Sequence, residues 1–187
     1  MEFVDPIRDI ESINSIKEIL RKKSQRDVLL FVFGINSGIR VSDLLSLKFG
    51  DIWDGEGVKE FLYIKDSGDG EARAYYINGS VKLELMNYLE TVSLKETDFL
   101  FKSKKNDQPI TRQQAYRIIN SAAREVGIPG KIGTHTLRKT FGYHAYRKGI
   151  AISILMEIYR HHTPSETLRY IGIDHKEESL VKVDVNL

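Results

Sequence analysis

The sequence predicts a mainly α-helical fold with one small antiparallel β-sheet. Three observations carry this. Apolar residues recur at helical spacing along most of the chain, glycines follow several of these stretches, and two short aromatic-rich segments flank a run of turn-forming residues.

The elements follow in order. Residues 9–22 place Ile10, Ile13, Ile16, Ile19 and Leu20 on one helical face. A second helix opens at Ser24 or Gln25 and reaches Asn36, with Gly38 as a left-handed terminator. A short helix follows over 41–47. Residues 60–65 and 72–77 form a β-hairpin around Asp66-Ser67-Gly68-Asp69-Gly70-Glu71. Helices are expected over 80–92, over 111–126 with Thr111 as N-cap, over 134–148, and in two short pieces over 153–159 and 165–171. Residues 98–101 are expected to form a short strand. Residues 1–172 read as one domain and 173–187 as a polar C-terminal tail with Leu180, Val181, Val183 and Val185 as its apolar anchors.

Composition removes several classes of function. The chain has 187 residues and no cysteine, so it offers no thiol nucleophile, thiolate zinc site or iron–sulfur cluster. The longest unbroken apolar run, over 28–33, is too short to span a bilayer. No basic start followed by an apolar stretch marks a secretory signal, so a cytoplasmic protein is expected. The formal charge is only +2. That total hides an asymmetry: residues 102–148 carry eleven cations and two anions, whereas residues 51–78 carry seven anions and three cations. A local field attracts a polyanion more than a total does.

Three segments contain residues able to do chemistry. In Thr134-His135-Thr136-Leu137-Arg138, His135 and Arg138 share one helical face, and a guanidinium beside an imidazole suits a phosphate. In Arg160-His161-His162, the doubled histidine lacks the further ligands a metal site needs, so no metal is expected. Tyr170 follows, a weak nucleophile unless cations and phosphate surround its hydroxyl. In Ser37-Gly38-Ile39-Arg40-Val41-Ser42-Asp43, Arg40 falls between a helix stop and a helix start, with Asp43 placed to hold its guanidinium. Each segment alone reads more readily as a solvated helix face, a half-buried surface tyrosine or a surface ion pair.

In this order and spacing the segments resemble the tyrosine recombinase (phage integrase) family, over nearly the whole chain. The first arginine motif is similar to Ser37-Gly38-Ile39-Arg40, and the His-x-x-Arg box is similar to His135-Thr136-Leu137-Arg138. The third basic position falls on His161, 23 residues after Arg138, and the nucleophile on Tyr170, nine residues later. The resemblance implies the family's catalytic-domain fold and cleavage and rejoining of double-stranded DNA through a 3′-phosphotyrosine intermediate. It implies no metal or nucleotide cofactor and assembly of a tetramer on DNA. Arg40 and Arg138 would clamp the phosphate, while His135 and His161 would donate hydrogen bonds or move protons.

The sequence departs from that pattern twice. The family's hairpin lysine falls on Gly68, amid Asp66, Asp69 and Glu71, and Lys65 is the nearest cation of the first strand. Lys65 is therefore the candidate acid for the leaving 5′-hydroxyl. The first helix also begins almost at once, so the family's N-terminal DNA-binding domain is expected to be missing. Two functions fit: an active site-specific recombinase or integrase, and a recombinase-derived DNA-binding regulator or accessory protein with impaired catalysis. A type IB topoisomerase shares the chemistry, but the length and the position of His161 favour the recombinase.

Overall fold

The computed structural model describes residues 4–65, 70–130 and 132–173. Among these residues the elements are α1 (Ile10–Lys23), α2 (Gln25–Ser37), α3 (Val41–Ser46), α4 (Phe49–Ile52), β1 (Phe61–Lys65), β2 (Ala72–Tyr76), α5 (Gly79–Leu89), α6 (Arg112–Val126), α7 (Thr134–Arg147), α8 (Ile152–Tyr159) and α9 (Pro164–Ile171). Gly68 and the valines of the tail lie outside the described residues.

Helix α2 is the centre of the main core. Val28 through Phe33 are buried on every side, and a helix with no polar stripe must be enclosed. Helices α1, α5 and α7 enclose it. Burial of Leu29, Leu30, Phe31 and Phe33 stabilises the fold by about 1.5–3 kcal/mol per side chain. Asp9 caps α1 by accepting from the Ser12 N–H at 2.8 Å. Thr111 caps α6 in a reciprocal box with Gln114, and Gly127 ends that helix in the left-handed region.

The two strands form a single antiparallel hairpin, with Phe61 opposite Tyr76 and Lys65 opposite Ala72. Leu62 is fully buried, whereas Phe61, Tyr63 and Tyr76 on the other face are exposed. The sheet thus covers the core with one side.

A second, smaller core joins α8 and α9 to α7 through Leu155, Tyr159, Leu168, Ile171 and Ile173. Gly142 makes this close approach possible: a Cβ there would lie 2.6 Å from Ile171 Cγ2, inside contact distance. Helix α9 consequently rests almost on the backbone of α7.

The expected elements are present, with three differences. The helix expected over 80–92 ends at Leu89. No strand forms over 98–101; Phe99 makes a single bridge to Lys48, because the partner segment turns into α4 at Phe49 and no ladder can extend. Helix α4 itself, only four residues long, carries no periodic signal.

Candidate active site

Arg138 organises the site. Its Nε donates to the Gly38 carbonyl at 2.7 Å and one terminal nitrogen to the Ile158 carbonyl at 2.8 Å. Its charge also acts on the Tyr170 hydroxyl. One guanidinium therefore ties the α2–α3 turn and the end of α8 to α7. These bonds fix its plane in advance, leaving little side-chain freedom to lose when an anion arrives. Its Cζ also stands 4.8 Å from the centre of the Tyr159 ring, whose hydroxyl donates to the Arg138 carbonyl.

The Gly38 turn brings Arg40 to the same place. Gly38 adopts φ +70, and a Cβ there would meet the Phe141 ring at 2.6 Å, so only glycine fits both the backbone and the space. Arg40 then precedes α3 as its N-cap residue and stays exposed. It forms no ion pair with Asp43; the two are linked through the backbone, the Asp43 N–H donating to the Arg40 carbonyl at 3.0 Å. The expected Arg40–Asp43 pair is thereby replaced by a guanidinium turned to solvent.

Arg40, Arg112, His135 and Arg138 line one cleft of about 190 Å³, together with Val41, Ser42 and Thr134. The cleft lies between the first turns of α6 and α7, whose aligned backbone dipoles add positive potential. Three guanidiniums and two helix starts form a receptor for a tetrahedral oxyanion. A terminal nitrogen of Arg112 lies 3.1 Å from His135 Nε2. Burial, followed by the charges of Arg112, Lys139, Arg138 and Arg40, holds His135 below the ordinary histidine range.

Tyr170 is half-buried on α9. Its ring packs against Tyr159 at 4.9 Å and edge-on to His161 at 5.2 Å. Burial raises its hydroxyl above the usual phenol range, while the charges of Arg138 and Arg40 pull the other way. His161 reaches this position because Arg160 adopts a left-handed conformation at the end of α8, φ 60, and turns the chain back. Its Nδ1 is 2.9 Å from the buried Thr167 hydroxyl, which fixes the ring. Burial keeps His161 below the ordinary histidine range as well.

Residues 7–177 match the profile described as the Phage integrase family. The chain belongs to this family. It is 45% identical over 174 residues to the probable integrase/recombinase YoeC of Bacillus subtilis, covering 93% of this chain and 92% of that protein. It is 30% identical to tyrosine recombinase XerA of Pyrococcus furiosus, covering 89% of this chain but 57% of that protein. The fold is similar to the crystal structure of XerA recombinase, with a TM-score of 0.74, 20% identity, and coverage of 94% of this chain and 62% of that one. It is also similar to a lambda integrase tetramer bound to a Holliday junction, with a TM-score of 0.70, 19% identity, and coverage of 99% and 52%. The chain thus spans little more than half of several relatives and carries the tyrosine recombinase catalytic-domain fold.

Of the six residues singled out from the sequence, Arg40, His135 and Arg138 line this cleft, and His161 and Tyr170 pack against each other within the field of Arg138. Lys65 stands apart. It is the exposed last residue of β1 and does not line the cleft. Strand alternation puts it on the face of Phe61 and Tyr63, opposite the face of Arg73, which donates to the Glu157 carbonyl of α8 at 2.9 Å. Arg112 and Lys139 were not foreseen from the sequence. Arg112 carried a faint signal, because a cation in the first turn opposes the helix dipole. Lys139 carried none: it reads as one more cation of a basic stretch, yet it is buried, donates to the Val4 carbonyl at 2.9 Å and sits 5.1 Å from the Tyr170 ring centre.

Proposed function

We propose that this chain is a site-specific DNA recombinase or integrase acting through Tyr170. The observation that carries this is a tyrosine packed on the Tyr159 ring that Arg138 also contacts, Arg138 being the arginine that lines an oxyanion-sized cleft. Tyr170 Oη attacks the scissile phosphorus, the bond to the 5′-bridging oxygen breaks, and a 3′-phosphotyrosine and a free 5′-hydroxyl result. A partner strand's 5′-hydroxyl then reverses the step. The ester conserves the energy of the broken bond.

Arg40 and Arg138 neutralise the non-bridging oxygens as charge grows on them in the pentavalent transition state. Arg138, already fixed by two carbonyls, costs no reorganisation at that moment. His135 donates to the phosphate from the start of α7. His161, held neutral by burial and oriented by Thr167, is suited to accept the Tyr170 proton. Lys65 protonates the leaving oxygen in this scheme, supported by its exposed place at the end of a hairpin anchored beside α8. The cations of residues 102–148 that remain at the surface hold the DNA backbone, and four copies assemble on DNA, as the lambda integrase tetramer does on a Holliday junction.

The test is a pool of nicked duplexes with randomised flanks, in which the fragment beyond the cleavage point diffuses away and traps the adduct. A covalent protein–DNA species that survives SDS and vanishes in Tyr170→Phe is the expected result. Sequence-selective binding without any adduct would make the chain the accessory DNA-binding protein instead.

A further inference from the structure

Arg112 lies outside the residues assigned above, yet it occupies the most informative contact of the cleft. Its side chain is exposed, and among the described residues no carboxylate pairs with it. Its hydrogen-bonding partner is His135 Nε2. A guanidinium has five N–H donors and no acceptor, so the contact has one polarity. Arg112 donates, Nε2 accepts through its lone pair, and the single proton of the neutral imidazole resides on Nδ1.

Three features make this a temporary arrangement. Both ends of the bond are at helix starts, Arg112 opening α6 and His135 in the first turn of α7, where positive charge is disfavoured until an anion arrives. An imidazole nitrogen is a neutral acceptor, and a phosphate oxygen makes the stronger, charge-assisted bond to a guanidinium. A lone pair on Nε2 aimed into the cleft would also repel that oxygen. The ring must therefore carry a proton on Nε2 once phosphate enters.

We infer that Arg112 is a phosphate-released latch on His135: without DNA it donates to Nε2 and confines the ring proton to Nδ1, and an entering DNA phosphate draws the guanidinium away and leaves Nε2 to take a proton from solvent and donate to the phosphate. Arg112 is thus a positioning residue for His135 and a phosphate ligand in turn. Among the described residues the charged groups that act on His135 are all cations, Arg112 from α6, Arg40 from the segment before α3, and Arg138 and Lys139 from α7, so the incoming anion supplies the charge that favours the protonated ring. The inference rests on the reading that the cleft receives a DNA phosphate; the latch on His135 in the free protein does not.

The experiment is long-range ¹H–¹⁵N NMR of the His135 ring at pH 7.5 in Tyr170→Phe, which cannot be trapped covalently. In the DNA-free protein the expected signature is a protonated Nδ1 and a bare Nε2, changing to a protonated Nε2 as a short duplex is added at low salt. In Arg112→Met the free protein should already show a proton on Nε2, the preferred site in an unconstrained imidazole. Arg112→Lys, whose ammonium also donates, should restore the Nδ1–H form at least in part and serves as the folding control. The logarithmic salt dependence of duplex binding should become shallower by about one in Arg112→Met, since one phosphate contact on B-DNA contributes a slope near 0.9. An unchanged tautomer in Arg112→Met overturns the latch, and an unchanged salt slope overturns the transfer to phosphate. Failure of the wild-type chain to form an adduct would count against the recombinase reading and leave the tautomer result standing.

Discussion

The Lys139 ammonium stands 5.1 Å from the centre of the Tyr170 ring and is buried beneath it. A cation over a phenol ring stabilises the phenolate more than the phenol, so Lys139 lowers the cost of deprotonating the proposed nucleophile. Desolvation holds Lys139 itself below the ordinary lysine range. Lys139→Met should slow adduct formation roughly 2- to 30-fold, the range of about 0.5–2 kcal/mol for such contacts. The pH at which the rate becomes half-maximal should rise, and Lys139→Arg should recover part of the loss. Single-turnover cleavage across pH 6–9 checks this; equal slowing at every pH would reduce Lys139 to its bond with the Val4 carbonyl.

Arg138 does two things that substitution can separate. Its charge serves the phosphate, while its bonds to the Gly38 and Ile158 carbonyls hold three segments together. Arg138→Ala should lower the cleavage rate by roughly 10²–10³, as for other fixed oxyanion donors. It should also destabilise the fold by about 1–3 kcal/mol, because those carbonyls lose a charged donor. Arg138→Lys keeps the charge but not the fork, and it should recover little activity. Cleavage assays paired with urea denaturation resolve the two effects.

The helices were legible in the sequence because their signals are local. Thr111, Gly38 and Gly127 mark ends through capping and left-handed backbone, which depend only on immediate neighbours. Arg40, His135, Arg138, His161 and Tyr170 were legible through motif spacing. What remained hidden depends on contacts distant in sequence. Lys139 is buried because Val4 approaches it across 135 positions, and Arg112 meets His135 across 23. The bridge of Phe99 to Lys48 is a tertiary accident of the same kind, set by where α4 begins. Asp43 illustrates the converse: its spacing from Arg40 suits an ion pair, but the fold turns the guanidinium toward the cleft instead.

Two histidines give the fold a pH dependence of defined sign. His135 and His161 both titrate below the ordinary value, chiefly through burial, so the folded state binds fewer protons than the unfolded chain. Their contribution to stability is present above the unfolded value, about 6.5, and is lost as pH falls through it toward the folded values. The urea midpoint should therefore decline as pH falls below about 6.5, beyond the decline due to carboxylates. His161→Gln should flatten that portion of the profile while leaving the Thr167 contact possible through its side-chain amide. An unchanged slope would mean that His161 is as easily protonated in the fold as out of it.

Lys65 is the residue whose proposed role is least supported by its position, and chemistry can decide it. If Lys65 protonates the leaving 5′-oxygen, Lys65→Ala should slow cleavage by roughly 10²–10⁴, the usual range for a positioned acid. Replacing the bridging oxygen by sulfur gives a leaving group that needs no proton, so the same variant should then cleave nearly as fast as the wild-type chain. Its strand places Lys65 on the face opposite Arg73, so the end of the hairpin must turn over the cleft when DNA binds. A wild-type enzyme that is itself strongly accelerated by the sulfur substrate, with Lys65→Ala no slower on oxygen, would show that the acid is missing. The acidic run beside Lys65 would then explain a chain that binds DNA and cuts it slowly, because carboxylates next to a phosphate raise the cost of bringing the hairpin into place.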